Sequence, residues 1–195
     1  KVFGNLDRCM FSKANFSAGE KLGGTAGTDE LVRPETDFSP ERLAAANIHP
    51  DTWLATDYLN HFNEVVMLID MLPMMPDCAP DVVAWQPCSY VDHFRHSHFK
   101  ERDLAIAAYE ASDPERRRAF DDTVARIDAT MADLQRMIID APMDALPIEA
   151  LSDLSEMRIK PLLAHAMGLI NGAPVAAMVT EDTGDAQSAV DALFG

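Results

Sequence analysis

Cysteine is scarce in this sequence. Only three of its 195 residues are cysteines, at positions 9, 78 and 88, and their spacing is not typical of a metal site. A low, odd count argues against a disulfide-based fold and favours a reducing, cytoplasmic compartment. Cys78 and Cys88 are near enough in sequence to pair across a loop, but we expect both thiols to stay reduced.

Several catalytic motifs are also missing. The sequence contains no glycine-rich phosphate-binding loop, no GxGxxG dinucleotide fingerprint and no GxSxG nucleophile elbow. No cysteine has an identifiable base near it in sequence, as a thiol nucleophile would need. Nucleotide-dependent enzymes and enzymes with a nucleophilic side chain are therefore disfavoured.

Basic residues are outnumbered two to one by acidic residues. Lysine and arginine together number 16 against 32 aspartates and glutamates, which gives a net charge of −16. This charge repels phosphate backbones and anionic lipid, so we expect no nucleic-acid partner. It attracts cations, metal ions included, and basic protein partners. The hydrophobic fraction of 48% is that of a soluble globular protein.

Long apolar runs are missing too. The longest stretch without a charged residue covers residues 161–180, which is long enough to span a membrane. It is interrupted by His165, Asn171, Gly172 and Pro174, so we expect no membrane span but a buried helix, a turn and a second buried element. The opening segment, KVFGNLDRCMFSK, has no apolar run suited to a signal peptide.

The sequence divides into a loose arm and one folded domain. Residues 1–38 are rich in glycine, serine and threonine and have no sustained period, which predicts a flexible N-terminal arm. Residues 39–195 carry the periodic segments of a single helical-bundle domain. Ser39 as an N-cap and Pro40 at the first helical position predict a short helix that ends at Ala46.

Four longer segments have the periodicity of amphipathic helices. The main helices are predicted at residues 51–72, 89–111, 113–140 and 147–170. The fourth should bend or break at Pro161 and end at Asn171-Gly172. Shorter elements are predicted as a turn at 81–85, a strand at 174–180 and a helix at 185–194. The sequence therefore predicts an all-α, up-down-type helical bundle of four main helices with short extra helices.

One four-residue pattern occurs twice, as HFNE at residues 61–64 and as HFKE at residues 98–101. In each copy a histidine and a glutamate are three residues apart, which puts them on one face of a helix. Helical bundles build iron, manganese and zinc sites from imidazoles and carboxylates that converge from facing helices. Glu101 lies on the apolar stripe of its predicted helix, and a buried carboxylate needs a cation, a proton or several donors as partner.

These residues predict an iron or zinc site in the core of the bundle. The candidate metal ligands are His61, Glu64, His98 and Glu101, with His93 and His165 in reserve. Asp121 and Asp128 on the third helix are interpreted as solvated. If the site is catalytic, an oxidoreductase is expected, because mixed carboxylate and imidazole ligands with open positions suit iron.

Other interpretations of the same residues stay open. The two His–Glu pairs are also consistent with ordinary side-chain pairs on a helix surface. Each such pair stabilises its helix by roughly a few tenths of a kcal/mol. The chain would then be a non-catalytic, acidic interaction or scaffold protein, or a homo-oligomer, that uses its methionine-rich loop to hold a partner. His96 or His98 could alternatively accept a phosphoryl group, as in a histidine phosphotransfer-type bundle.

The methionine-rich loop itself has two interpretations. The segment MLIDMLPMMPDC at residues 67–78 gathers four methionines and a cysteine. Soft sulfur ligands of this kind suit Cu(I). Methionine also fills irregular junctions where a helix meets a proline-rich loop, which is the simpler explanation.

Overall fold

The structure, a computed structural model, describes residues 36–175. Within this range every regular element is helical, so the predicted all-α class is confirmed. The α-helices are α1 (Pro40–Ala45), α2 (Asn60–Met71), α3 (Ala79–Ala84), α4 (Tyr90–His96), α5 (Arg102–Ala111), α6 (Pro114–Asp140), α7 (Ile148–Leu154) and α8 (Lys160–Ile170). α1 and α3 occupy the positions of two predicted short elements. Residues 1–35 of the predicted arm, nearly all of the predicted strand and the predicted helix at 185–194 lie outside the described residues.

The longest helix, α6, packs against α3, α7 and α8. Asp113 caps its start by accepting the backbone N–H of Arg116 at 2.8 Å, and Pro114 takes the first helical position, as the sequence predicts. Its buried side chains form the predicted stripe and include Phe120, Ile127, Met131, Leu134 and Ile138. The Arg116 guanidinium donates to the carbonyls of Leu169 and Ala173, both at 2.9 Å. The start of α6 therefore lies beside the end of α8, and the two helices run antiparallel.

The first predicted long helix begins later than its periodicity indicates. α2 starts only after a 3₁₀ turn at Thr56–Leu59, so the predicted start at residue 51 is wrong. Residues 48–55 form a loop instead. In this loop the Thr52 hydroxyl donates to the carbonyl of Ile170 at 2.6 Å. The bond satisfies a carbonyl at the end of α8 and holds the loop against it.

The second predicted long helix, at residues 89–111, is broken into α4 and α5. Ser97 explains the break, because its hydroxyl donates to the carbonyl of Phe94 at 3.0 Å and accepts the N–H of Phe99 at 3.1 Å. Such local hydrogen bonds compete with those of a helix. The HFKE motif, at 98–101, therefore lies in a turn and not on a helix, and the expected up-down arrangement of four main helices is not confirmed.

The fourth predicted helical region is α7 and α8, joined by a π-helical turn at Ser155–Ile159. Pro161 has no N–H to donate to the preceding turn, and the π turn just before it accommodates that loss. The region ends at the predicted position, where Gly172 adopts a φ of +89°, a conformation that favours glycine. Over residues 36–175, none of the helices is long and apolar enough to cross a membrane.

Two buried tyrosines join the segment before α2 to the start of α4. Tyr58 donates its hydroxyl to the carbonyl of Cys88 at 2.8 Å. In the opposite direction, the Tyr90 hydroxyl accepts the N–H of Ala55 at 2.9 Å. The two rings are themselves in contact, with centroids 5.2 Å apart. Each bond satisfies a backbone group that folding removes from water.

Removing the Tyr90 hydroxyl is expected to destabilise the protein. In Tyr90→Phe the N–H of Ala55 loses its acceptor, and a buried, unpaired N–H costs about 1–3 kcal/mol. The free energy of unfolding, measured in urea, should fall by that amount. Tyr109→Phe is the control, because the Tyr109 hydroxyl bonds to Asp121 at an exposed position, where a loss below about 0.5 kcal/mol is expected. Equal losses in both variants would contradict the role of Tyr90.

Candidate functional site

Histidines from α2 and α4 meet at a partly buried position. The ring centroids of His61 and His93 are 6.3 Å apart. His61 lies in the first turn of α2 and His93 in the middle of α4, the two helices whose beginnings the tyrosine bonds join. The sequence singles out His61 as a ligand and keeps His93 in reserve, and the structure brings these two together.

Aromatic rings enclose the histidine pair. Trp85 stacks on His61 with a centroid distance of 4.9 Å, and its indole N–H donates to the carbonyl of His61 at 3.2 Å. Tyr58 meets His93 edge-on at 5.5 Å. Phe62 and Phe94, each adjacent in sequence to one of the histidines, are fully buried. The pair therefore lies in largely apolar surroundings, where an unpaired charge is strongly disfavoured.

Each of the two histidines has a ring nitrogen without a hydrogen bond. The Nε2 atoms of His61 and His93 are shielded from water, and neither has a hydrogen-bond partner among residues 36–175. Most buried side-chain polar atoms in proteins do have one, and leaving one unpaired costs about 1–3 kcal/mol. Two such atoms on neighbouring rings make the pair a candidate site for a ligand that would bond to both.

Both imidazoles are neutral at pH 7. The pKa of His61 is lowered to about 4, chiefly by burial and then by the neighbouring His93, against the opposing effect of a backbone hydrogen bond with Gln86. Burial also lowers the pKa of His93, and the charge of Asp57 offsets part of that effect. The neutral ring is the form that binds metal ions.

Asp128, which the sequence predicts to be solvated, is partly buried near Tyr58. Oδ1 of Asp128 is shielded from water and has no hydrogen-bond partner in the described range, so this prediction is wrong. Burial raises the pKa of Asp128 to about 6. The pKa of Tyr58 is raised by burial and then by the charge of Asp128. Asp128 therefore lies near the aromatic wall that Tyr58 forms around His93.

Asp128 belongs to a row of polar side chains along α6. Asp121, Asp128 and Gln135 are seven residues apart and share one face of the helix. Asp121 accepts the hydroxyl of Tyr109 at 2.8 Å, and the amide of Gln135 donates to the carbonyl of Trp85 at 2.8 Å. The sequence carries no signal for the burial of Asp128, because a polar row beside an apolar stripe is usual on the solvent-facing side of an amphipathic helix.

The structure places three of the predicted ligands away from the histidine pair. Glu64 is exposed on α2, and His98 is exposed in the turn between α4 and α5. His165 is half-buried on α8. The pKa of His165 is lowered by burial and by the positive charge of Arg126 on α6. Because Arg126 is positively charged, the surroundings of His165 are unsuited to a bound cation.

Glu101 has a partner of a different kind. Its Oε2 accepts a hydrogen bond from the guanidinium of Arg42, on α1, at 2.5 Å. The two side chains remain 29% and 39% exposed, so the ion pair is partly solvated. The cation that pairs with Glu101 is thus an arginine from α1, which the spacing of the HFKE motif does not indicate.

The described part of the chain contains no group of three or more His, Cys, Asp or Glu side chains arranged to hold a metal ion. What it contains is a two-histidine centre, His61 and His93, with the charges of Asp57 and Asp128 in its surroundings. Cys78 and Cys88 are buried, and the two are not joined by a disulfide.

No protein-family model, curated protein or solved structure matches this chain. The chemistry of the histidine pair is therefore inferred from the contacts of His61 and His93. These define one candidate centre, in which neutral His61 and His93 are enclosed by Trp85 and Tyr58, with Asp128 nearby.

The protein should lose stability in mild acid because of His61. Its pKa is about 4 in the fold and about 6.5 in an unfolded chain. Between these values the unfolded chain binds more protons, so the free energy of unfolding falls as the pH falls. The contribution of neutral His61 to the free energy of unfolding is complete above pH 6.5 and is lost as the pH drops through 4. The total loss is at most about 3 kcal/mol.

Urea unfolding of the wild type and His61→Gln between about pH 7.5 and 4 measures this contribution. The wild type should lose stability more steeply, because the glutamine does not titrate. His96→Gln, at an exposed position on α4, is the control and should follow the wild type. If the wild type and His61→Gln change in parallel, His61 is not the buried neutral group described above.

Asp128→Asn is expected to stabilise the protein at neutral and alkaline pH. Because the pKa of Asp128 is raised to about 6, its charged form is disfavoured in the fold, and stability is lost as the pH rises from 3.8 through 6. Asp128 is only partly buried, so we expect a gain of about 1 kcal/mol at pH 8 that disappears at pH 3.5. Asp122→Asn, at an exposed position on the same helix, should have little effect at either pH.

Proposed function

We propose that this chain is a helical bundle that binds one transition metal ion, iron or zinc, through Nε2 of His61 and His93. The observation that carries the proposal is that these nitrogens are buried on neighbouring rings and have no hydrogen-bond partner within residues 36–175. A metal ion accepts the lone pair of each nitrogen and removes the cost of leaving both unsatisfied. Binding also needs neutral imidazole, and burial provides it here.

The two rings lie slightly further apart than binding to one shared ion requires. Metal–nitrogen bonds of about 2.0–2.1 Å place the ion roughly 3 Å from the centre of an imidazole ring. Two rings on one ion therefore have centres at most about 6 Å apart, and the centres of His61 and His93 are 6.3 Å apart. A slight approach of the two rings would complete the geometry.

Two protein ligands leave coordination positions free for water or a substrate. Structural zinc sites are normally closed by four protein ligands, so this arrangement favours a reactive centre over a structural one. With iron, open positions beside imidazole ligands support oxidoreductase chemistry. The charge of Asp57 acts on His93 and would offset part of the charge of the cation.

The bundle in this proposal has a divided fourth helix. α2, α6 and the α7–α8 segment are its three longer members, and α4 with α5 takes the place of the fourth. In support, α6 packs against α7 and α8, α2 packs against α7, and α4 packs against α5. The metal centre would then lie where α2 faces α4, at the end of the bundle that the two tyrosine bonds hold together.

Metal binding can be measured on the purified full-length chain. After incubation with Fe(II) under anaerobic conditions, or with Zn(II), and after desalting, elemental analysis should find close to one ion per chain. Zinc at a free concentration of about 100 times its dissociation constant should raise the free energy of unfolding by about 2.7 kcal/mol. The double variant His61→Gln/His93→Gln should bind no ion and show no such stabilisation.

The matched control is His98→Gln/His165→Gln, which also removes two histidines but leaves the pair intact. It should bind metal as the wild type does. If the wild type binds no metal, or if both double variants lose it equally, the proposal fails. If the wild type binds no metal and His61→Gln/His93→Gln loses stability, the pair is a structural element of the core.

A further inference from the structure

Four exposed methionines form what we call the methionine surface. They are Met67, Met74, Met75 and Met157, whose exposed fractions are 52%, 88%, 48% and 75%. Six large apolar side chains are exposed in the described part of the chain, and these are four of them. Apolar side chains that gather on a protein surface mark a site of interaction, whereas scattered ones need no explanation.

One ion pair brings together the two segments that carry these methionines. Lys160, the first residue of α8, pairs with Asp70 of α2 at 3.1 Å. Met67 and Met74 lie about one helical turn before and after Asp70, and Met157 lies about one turn before Lys160. The surface therefore spans the contact between the end of α2 and the π-helical turn before α8.

The surroundings of this surface are acidic. The two segments that supply it, residues 60–78 and 148–160, contain six acidic and two basic residues. One of the two basic residues, Lys160, is already paired with Asp70 and Glu156. Asp77 and Asp153, two of the six acidic residues, are exposed.

We propose that the methionine surface binds an amphipathic helix of a partner protein, with basic residues beside the helix's apolar face. Methionine side chains are flexible and polarisable, so they adapt to the apolar face of a docked helix. The acidic surroundings attract the basic residues of the partner and fix its orientation. This binding surface is separate from the histidine pair and does not depend on a bound metal.

Charge argues against four other occupants, namely a second copy of the chain, residues 176–195, anionic lipid and nucleic acid. A second copy of the chain brings the same net charge of −16 and the same acidic surroundings. Residues 176–195 contain four acidic and no basic residues, so this segment is repelled as well. Anionic lipid and nucleic acid are repelled for the same reason. Among these candidates, only a basic helix gains both apolar burial and electrostatic attraction.

The probe is a labelled peptide helix of about 18 residues, roughly five turns, with leucine on one face and lysine and arginine beside it. Binding to the full-length chain is followed by fluorescence anisotropy. The basic peptide should bind, and its affinity for the chain should fall as salt is added. A version with glutamate in place of the basic residues, and a scrambled version of the same composition, should not bind.

Variants of the chain test the surface itself. Met74→Gln/Met157→Gln should weaken peptide binding about tenfold or more, and Asp77→Lys should weaken it and reduce its salt dependence. Asp103→Lys is the matched charge control, because Asp103 is exposed on α5, which packs against α4. It should bind the peptide like the wild type, and circular dichroism should show all variants folded.

Several outcomes would overturn the proposal. These are no binding by the wild type, equal binding of the acidic or scrambled peptide, or unchanged binding by Met74→Gln/Met157→Gln. A wild-type dimer that becomes monomeric in Met74→Gln/Met157→Gln would identify a second copy as the occupant. Tight binding of a synthetic peptide of residues 176–195 would identify that segment instead.

Discussion

Two hydrogen bonds from tyrosine hydroxyls hold together the part of the protein on which the candidate site depends. Tyr58 reaches across to the backbone before α4, and Tyr90 reaches back to the backbone before α2. Because the bonds run in opposite directions, sliding of either segment would break both of them. His61 and His93 follow within one turn of these anchors, so the closeness of their rings is a consequence of the tyrosine bonds. Nε2 of both imidazoles is shielded from water, and partial burial lowers the pKa of each ring, which favours its neutral form.

The helices that are predicted best from the sequence are those that a continuous apolar stripe and local caps stabilise. α6 is the clearest case, with its cap at Asp113 and its buried stripe, and the end of α8 at Gly172 is another. The same periodicity predicts helix where there is none at Thr52 and Ser97. In both places a side-chain hydroxyl takes a backbone partner, and in the case of Thr52 that partner is distant in sequence. Apolar spacing carries no information about such bonds.

The candidate site was predictable only in part, for a related reason. His61 could be singled out because it lies on an apolar stripe of α2. The repeated motif pointed to His98 as its counterpart, but the break at Ser97 removes His98 from the helix and leaves His93 facing α2. Asp128 was missed because its burial depends on how neighbouring elements cover one face of α6. Spacing within a helix predicts which residues share a face, but not which face of another helix they meet.

The π-helical turn between α7 and α8 constrains how many residues the chain can have at this point. Compared with a regular α-helix it contains one extra residue, which the wider turn absorbs without changing which faces of α7 and α8 meet the core. Leu151 on one side and Leu162 on the other are both buried. Deletion of a single residue here would restore a regular helix and leave both leucines buried, but it would place Pro161 in the interior of that helix, where proline costs about 3 kcal/mol or more. The loop at 141–147 has no such requirement, so natural variation in chain length should be found there and not within residues 155–159.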